Sequence, residues 1–158
     1  TDRAKEALFS ILSSRYDFDN ITVLDLFAGS GNIGYEFISR GCARVTAVEK
    51  NRRVVKQNQA FTVLRDISNI RFQCMDAFQF LKTSSETYDI IFADPPYHLK
   101  TLLTIPDHVK ESKVLKPNGL LVVEHESNLT WNTTDLVESR KYGQSVFSLF
   151  QFDVPLSE

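Results

Sequence analysis

A glycine-rich stretch, FAGSGNIGYEF at residues 27–37, contains the first residues whose spacing could do chemistry. Gly29, Gly31 and Gly34 form the pattern G-x-G-x-x-G, which is typical of loops that bind a dinucleotide at the start of a helix. Glycine lets the backbone approach a ligand closely and adopt dihedral angles that other residues avoid. The loop alone therefore fits either a nicotinamide dinucleotide or another cofactor that contains adenosine.

Three acidic residues near this loop lie inside, at the end of or just after a predicted strand. Asp25 lies four residues before Gly29, where a carboxylate suits a cationic amino group and would repel a pyrophosphate; its alternative role is to brace the loop. Glu49 lies where a carboxylate binds the ribose hydroxyls of an adenosine, unless it is simply an exposed acid at the end of a strand. Asp76 could accept a hydrogen bond from an adenine amino group or serve as a helix N-cap.

The tetrapeptide DPPY, residues 94–97, closes a predicted strand at the same edge of the sheet. Pro95 and Pro96 stiffen the backbone, because proline fixes its own φ and restrains the residue before it. A stiff Asp94 carboxylate and a stiff backbone carbonyl can together accept the two hydrogens of an exocyclic amine. Tyr97 supplies an aromatic face on which a base can stack. The tetrapeptide thus predicts a site that holds an amine of a nucleobase against an electrophile.

The elements that must position these residues alternate between strands and helices. Short apolar, β-rich runs predict buried strands at 21–27, 43–49, 70–74, 88–94 and 120–126. Helical spacing of apolar residues predicts helices at 2–14, from the glycine loop to Gly41, at 51–65, at 76–82 and, as two short helices interrupted by Pro106, between 99 and 115. The sequence KPNG, at 116–119, predicts a turn.

The end of the chain departs from this alternation. The segments DLVESRK (135–141) and SVFSLFQF (145–152) both read as strands, with about three residues between them. A parallel pair needs a connection of a dozen or more residues, so this pair must be an antiparallel hairpin. We therefore predict a doubly wound α/β domain over residues 1–153, Rossmann-like, with a mostly parallel seven-stranded sheet and a C-terminal antiparallel hairpin; residues 154–158 form a tail.

Composition excludes several function classes. The 158 residues carry a net charge of −2, which argues weakly against a strongly nucleic-acid-binding surface on this piece. No apolar run approaches the length of a membrane span, and no signal peptide is visible. Cys42 and Cys74 lie far apart in unrelated contexts, so we expect a reducing cytoplasm. The chain opens without Met, which suggests trimming. No apolar surface helix is evident, so we expect a monomer.

The chain resembles a known family. LDLFAGSGNIG, AVEKN and DPPY, in this order, are similar to S-adenosylmethionine-dependent amino-methyltransferases. The opening TDRAKEALFSIL, the segment ISRGCARVTAVEKN and the closing YGQSVFSLFQF resemble the RsmD-type class I methyltransferases more narrowly, over residues 1 to about 152. That resemblance implies methylation of the exocyclic amine of a guanine in small-subunit (16S) ribosomal RNA, on naked RNA or on the small subunit. Family members carry a short basic segment before the TDR stretch, which this sequence lacks.

The resemblance also implies roles for individual residues. Asp94, Pro95, Pro96 and Tyr97 would form the catalytic tetrapeptide and hold the target base. The remaining implied residues would bind S-adenosylmethionine around its methionine part, its ribose and its adenine: Asp25, Phe27, Ala28, Gly29, Ser30, Gly31, Glu49, Lys50, Asp76 and Ala77.

Other functions remain open at this stage. One is an amino-methyltransferase that acts on DNA or another RNA, although DNA enzymes of this type commonly carry an extra domain. Others are a nicotinamide-dependent oxidoreductase and an RNA-associated domain that binds the cofactor without catalysis. The sequence EHE at 124–126 indicates no metal site, because alternate residues of a strand face opposite sides. The basic residues Lys50, Arg52, Arg53 and Lys56 form either a solvated face or a contact for RNA phosphates.

Overall fold

The computed structural model describes residues 2–96, 101–126 and 129–152, which build one seven-stranded sheet. The strands are β1 Thr22–Leu26, β2 Arg44–Glu49, β3 Ile70–Cys74, β4 Tyr88–Ala93, β5 Leu115–Glu126, β6 Leu136–Tyr142 and β7 Ser145–Phe150. They lie in the order β3-β2-β1-β4-β5-β7-β6. Strands β1 to β5 run parallel to one another, and β7 runs antiparallel to both β5 and β6. The predicted mixed sheet and its terminal hairpin are confirmed.

Helices cover both faces of this sheet. They are α1 Asp2–Arg15, α2 Asn32–Ser39, α3 Arg52–Leu64, α4 Ala77–Thr83 and α5 Ile105–Ser112, with short 3₁₀ turns at Phe18–Asn20 and Leu102–Thr104. Pro106 lies in the first turn of α5, where its missing N–H costs no helical hydrogen bond. The 3₁₀ turn before it is the first of the two short helices expected in this region.

Strand alternation divides the apolar residues into two cores. Val23 of β1 packs with Phe9 and Phe37 under α1, α2 and α3, whereas Leu24 packs with Phe80 and Val109 under α4 and α5. Both sides of the parallel strands are therefore buried, as a doubly wound sheet requires. The polar ends of the strands are the part of the sheet left for a ligand.

Two local predictions need correction. The fifth strand begins at Leu115 rather than at residue 120, and the predicted turn at 116–119 lies inside it. Tyr88 pairs with Leu115 while Ile90 pairs with Leu120, so the extra residues of β5 bulge out between these pairs. Asn118 adopts a φ of 65° there, which asparagine tolerates better than most residues. The hairpin loop is shorter than expected, because Tyr142 already pairs with Ser145.

The parallel strands bring their carboxyl ends to one edge of the sheet, and the sequence-predicted site residues follow those ends. Within the described ranges, no helix combines the length and the apolarity needed to cross a membrane.

Candidate active site at the carboxyl edge of the sheet

Five neighbouring strands each place one acidic residue at the carboxyl edge. In sheet order from β3 to β5, this acid row consists of Asp76, Glu49, Asp25, Asp94 and Glu124. None of these carboxylates forms a salt bridge with any residue that the structure describes. The site therefore presents acidic groups that no described residue pairs with a salt bridge, and such a site attracts a cationic ligand and repels a pyrophosphate.

A cavity of about 380 Å³ opens along four members of the acid row. This volume lies within the range of about 300–1,000 Å³ that is usual for small-molecule sites. The acid row supplies Glu49, Asp76, Asp94 and Glu124, and the other lining residues are Phe27, Val48, Lys50, Met75, Ala77, Phe78, Pro95 and Pro96. We call it the cofactor cavity, because it joins the predicted adenosine-binding residues to the first three residues of the DPPY motif.

The glycine loop between β1 and α2 depends on left-handed backbone conformations. Phe27, Gly29 and Gly31 have φ values of 58°, 54° and 83°. A Cβ on Gly31 would lie 2.9 Å from the ring of Phe72, so this position has no space for a side chain. A Cβ on Gly29 would meet no described atom within 4 Å, and this leaves the backbone open for a ligand to approach.

Glu49 holds this loop in place. Its Oε1 accepts a hydrogen bond from the Gly29 amide at 3.1 Å, and its Oε2 accepts one from the Asn51 amide at 2.7 Å. Glu49 therefore braces the loop, a role that the sequence offered for Asp25, whose carboxylate interacts with the Gly34 amide. Each carboxylate oxygen has two lone-pair directions, so both still have an acceptor position for ribose hydroxyls.

Asn58 supports the loop from α3, which sequence analysis missed. Its side-chain amide donates to the Gly29 carbonyl at 3.1 Å, and its Oδ1 accepts from the Tyr35 hydroxyl at 3.0 Å. Nothing in the local sequence around Asn58 indicated this contact, because α3 and the loop meet only through the fold.

Asp25 lies below the loop, outside the cofactor cavity. It is 2 % exposed, and its Oδ2 accepts no hydrogen bond from any described residue. Burial and the nearby charge of Asp94 raise the pKa of Asp25 to about 8, although the Gly34 amide opposes the shift. A buried carboxylate oxygen without a donor is costly in an empty site, and a cationic group above it would relieve that cost.

Asp76 caps α4. Its Oδ2 accepts hydrogen bonds from the amides of Phe78 and Gln79 at 3.0 and 3.1 Å. The N-cap interpretation is therefore confirmed. The other oxygen, Oδ1, accepts no hydrogen bond from the described residues, so Asp76 keeps an acceptor at the cavity while it fixes the helix.

Asp94 and Glu124 lie side by side at the far end of the cavity. Ala93 pairs with Val123, so the next residue on each strand is an acid. Asp94 is reachable by solvent, yet it forms a wall of a concave site where protein atoms displace part of its hydration. This desolvation and the charge of Glu124 raise the pKa of Asp94 to about 7, and burial also raises the pKa of Glu124.

The predicted cofactor residues separate into two groups. Phe27, Glu49, Lys50, Asp76 and Ala77 line the cofactor cavity. The others do not line it; they are Asp25, Ala28, Gly29, Ser30 and Gly31.

Gly29 and Ser30 instead line a hollow of about 780 Å³ between α2 and α3. That hollow is larger, but no residue of the acid row lines it, so the chemistry belongs to the cofactor cavity. Tyr97 and His98 lie outside the described residues.

Glu124 and Trp131 are the residues whose place the sequence did not reveal. The alternation expected for 124–126 holds, because His125 points away from Glu124 and hydrogen-bonds to Ser148 at 2.6 Å. The Trp131 indole donates to the same hydroxyl at 3.0 Å and packs edge-on against Phe150. These contacts fix the end of β5, and the strand pairing then brings Glu124 beside Asp94.

Comparisons with known proteins agree with this geometry. Residues 1–151 match the family model described as conserved hypothetical protein 95. Ribosomal RNA small subunit methyltransferase D of Haemophilus influenzae is 30 % identical over 157 residues, which cover 95 % of this chain and 80 % of that protein. The protein of the same name from Escherichia coli K12 is 30 % identical over 155 residues, 96 % of this chain and 77 % of that protein. This chain belongs to the RsmD family of methyltransferases.

The structures agree as well. YhhF from Escherichia coli superposes with a TM-score of 0.83 at 30 % identity, and the match covers 96 % of this chain and 85 % of that one. The resemblance to RsmD-type methyltransferases and the predicted class I fold are confirmed. The family does not test the individual site residues, the domain limits, the monomeric state or the cytoplasmic location, which stay predictions.

Asp25→Asn tests the burial of the unpartnered carboxylate. The folded-state pKa of Asp25 is raised to about 8, so this residue's contribution to the free energy of unfolding is full below about pH 4 and is lost as the pH rises through 8. We expect the ligand-free variant to gain on the order of 1–3 kcal/mol over wild type at pH 8.5 and much less at pH 5. Urea denaturation at both pH values measures this. Asp66→Asn, at an exposed position, is the control; an equal pH dependence of wild type and Asp25→Asn would contradict the account.

Proposed function

We propose that this chain transfers a methyl group from S-adenosylmethionine to the exocyclic N2 amine of a guanine in small-subunit (16S) ribosomal RNA. The observation that carries the proposal is the unneutralised acid row, which runs along a cavity from the braced glycine loop to the start of the DPPY motif. The relatives named as ribosomal RNA small subunit methyltransferases support the RNA substrate.

The residues present fit this cofactor. S-adenosylmethionine carries an ammonium and a sulfonium group, and the acid row offers carboxylates without counter-ions. The buried Oδ2 of Asp25 and the open side of Gly29 fit a cationic amino-acid end beside the loop. Glu49 and Asp76 retain free acceptor positions for the ribose hydroxyls and the adenine amine. A coclaurine N-methyltransferase of the same fold, 25 % identical with a TM-score of 0.61, was solved with S-adenosylhomocysteine.

When bound, S-adenosylmethionine supplies an electrophilic methyl group whose C–S bond breaks with its electron pair left on sulfur. Asp94 accepts one hydrogen of the target amine, and a carbonyl of the rigid proline pair accepts the other. With both hydrogens held, the amine lone pair would be directed at the donated methyl group, whose new bond to nitrogen would replace its bond to sulfur. The nitrogen sheds its extra proton after transfer, and Asp94 is placed to take it.

Transfer of a labelled methyl group tests the function directly. Unmodified small ribosomal subunits, naked ribosomal RNA and duplex DNA are incubated with the protein, and the labelled nucleoside is identified. We expect N2-methylguanosine from a ribosomal sample. Asp94→Ala should reduce transfer by about a hundred-fold or more and leave the affinity for S-adenosylhomocysteine nearly unchanged. Label only in DNA would refute the RNA substrate, and equal transfer by Asp94→Ala would refute the catalytic role.

The pH dependence of the reaction follows from Asp94. Its raised pKa, about 7, means that below this pH the carboxyl is mostly protonated, so it accepts hydrogens from the amine more weakly and cannot take the amine's proton. We expect kcat/KM for the RNA, measured at saturating S-adenosylmethionine, to rise with pH and to level off above about pH 7.5. Glu124→Gln removes the neighbouring charge and should move the midpoint to lower pH. A profile that is flat from pH 5.5 to 8.5 would contradict this assignment.

The start of α3 offers a contact for RNA phosphates. Lys50, Arg52, Arg53 and Lys56 are exposed there, and none of them forms a salt bridge with a described residue. Asn51 caps this helix, and Lys50 lines the cofactor cavity, so the basic patch adjoins the site.

The double variant Arg52→Gln/Arg53→Gln should weaken RNA binding and lower the slope of log K against log salt by roughly 0.7–0.9 for each phosphate that the variant no longer neutralises. Cofactor affinity should not change. Filter binding at several salt concentrations measures the slope. Arg65→Gln, at the opposite end of the same helix, is the matched control. A double variant with the same slope as this control would show that the patch is only a solvated face.

A further inference from the structure

A second cavity, of about 220 Å³, lies on the other side of Asp94. It shares Asp94, Pro95 and Glu124 with the cofactor cavity, so these three residues form the boundary between the two. Its volume is below the range of about 300–1,000 Å³ that is usual for drug-sized ligands, which favours a single planar ring system. An acceptor base placed there would meet the methyl group across Asp94.

The walls of this acceptor cavity combine apolar and acidic surfaces. Pro95, Leu102 and Leu129 supply apolar contacts of the kind that hold the faces of an extruded base. The edge of the ring would face Asp94 and Glu124. Sequence-specific recognition of an unstacked base commonly uses its Watson–Crick edge in this way.

The strand pairing makes Glu124 available to the ligand. It lies one residue beyond the Ala93–Val123 pair, as Asp94 does, and no described residue forms a salt bridge with it. The next residue, His125, is not available, since Ser148 and the Glu126 carbonyl hold its two ring nitrogens at 2.6 Å each. Glu126 and Ser145 also line this cavity, and the Ser145 hydroxyl interacts with Glu124. Glu124 is the carboxylate beside Asp94, because both lie one residue beyond the Ala93–Val123 pair.

Resting on the proposed function, we infer that Glu124 selects guanine by accepting the ring N1–H next to the N2 amine held by Asp94. Guanine presents two adjacent kinds of donor on this edge, N1–H and N2–H₂, and two adjacent carboxylates match them. Adenine and cytosine present an unprotonated ring nitrogen beside their amine, and its lone pair would face Glu124. Asp94 and Glu124 together would therefore favour guanine and disfavour the other bases that carry an amine. Burial raises the pKa of Glu124, because it removes water that would hydrate the carboxylate. A hydrogen bond donated by the base would replace part of that hydration and stabilise the charged form.

Substitution of the base and of the residue together tests the inference. A synthetic RNA spans the methylated position found by the label-transfer assay, with either guanosine or 2-aminopurine riboside there. 2-Aminopurine keeps the exocyclic amine but has no proton on N1. Wild type should prefer guanine by about ten-fold to a hundred-fold in kcat/KM, as expected for one base-edge contact. Glu124→Gln should reduce this preference to within a few-fold, because its amide can also donate to an unprotonated N1.

The controls separate the possible failures. Glu6→Gln, at an exposed position of α1, should keep the wild-type preference. An unchanged melting temperature and an unchanged far-UV circular dichroism spectrum show that Glu124→Gln is folded. A wild-type preference near one, or an equal preference in wild type and Glu124→Gln, overturns the role of Glu124 while methylation of guanine still stands. Absence of label in guanosine with the wild-type protein overturns the proposed function itself.

Discussion

Negative charge without counter-ions, gathered at the ends of five neighbouring parallel strands, is the constraint on which the rest of the site depends. A parallel sheet brings its carboxyl ends to one edge, so acids from distant parts of the sequence become neighbours. Among the described residues, no lysine or arginine forms a salt bridge with them. Two other effects reduce the electrostatic repulsion among these acids. Glu49 and Asp76 accept backbone hydrogen bonds, and burial shifts Asp25 and Asp94 towards their protonated forms.

This charge distinguishes between cofactor classes that the glycine loop does not separate. G-x-G-x-x-G provides a close backbone approach, and that suits any ligand with an adenosine. A pyrophosphate would bring its own negative charges against Glu49 and Asp94, and it would offer no positive charge to the buried Asp25. A sulfonium cofactor brings positive charge to the same positions. Family membership in the RsmD methyltransferases agrees with the second case, and the nicotinamide alternative loses its support.

The sequence was sufficient for the parts of the fold that depend on local pattern. Apolar runs gave the strands, helical spacing gave the helices, and the short connection before Ser145 required an antiparallel hairpin. It also located Glu49, Asp76 and Asp94 at one edge of the sheet, because each lies at or just after a recognisable strand end. The strand start at Leu115 was missed, because the turn residues at 116–119 hide a bulge that pairing with β4 tolerates.

What the sequence could not supply is contact between elements. The sequence assigned Glu124 no role of its own, and the pairing of β4 with β5 brings it beside Asp94. The same holds for Asn58 and Trp131, because each contacts a segment that only the tertiary fold brings near. The sequence offered a brace for the loop at Asp25 and none at Glu49, because only the tertiary fold brings the Glu49 carboxylate to the Gly29 amide.

The central claim, that the acid row selects a cationic adenosine cofactor, is tested most directly by isothermal titration of the ligand-free protein at low ionic strength. S-Adenosylmethionine and NADH both contain adenosine, and only the second carries a pyrophosphate. The account predicts saturable binding of S-adenosylmethionine and no measurable binding of NADH at the same concentrations. Binding of NADH as tight as that of S-adenosylmethionine, or no binding of either, would contradict it.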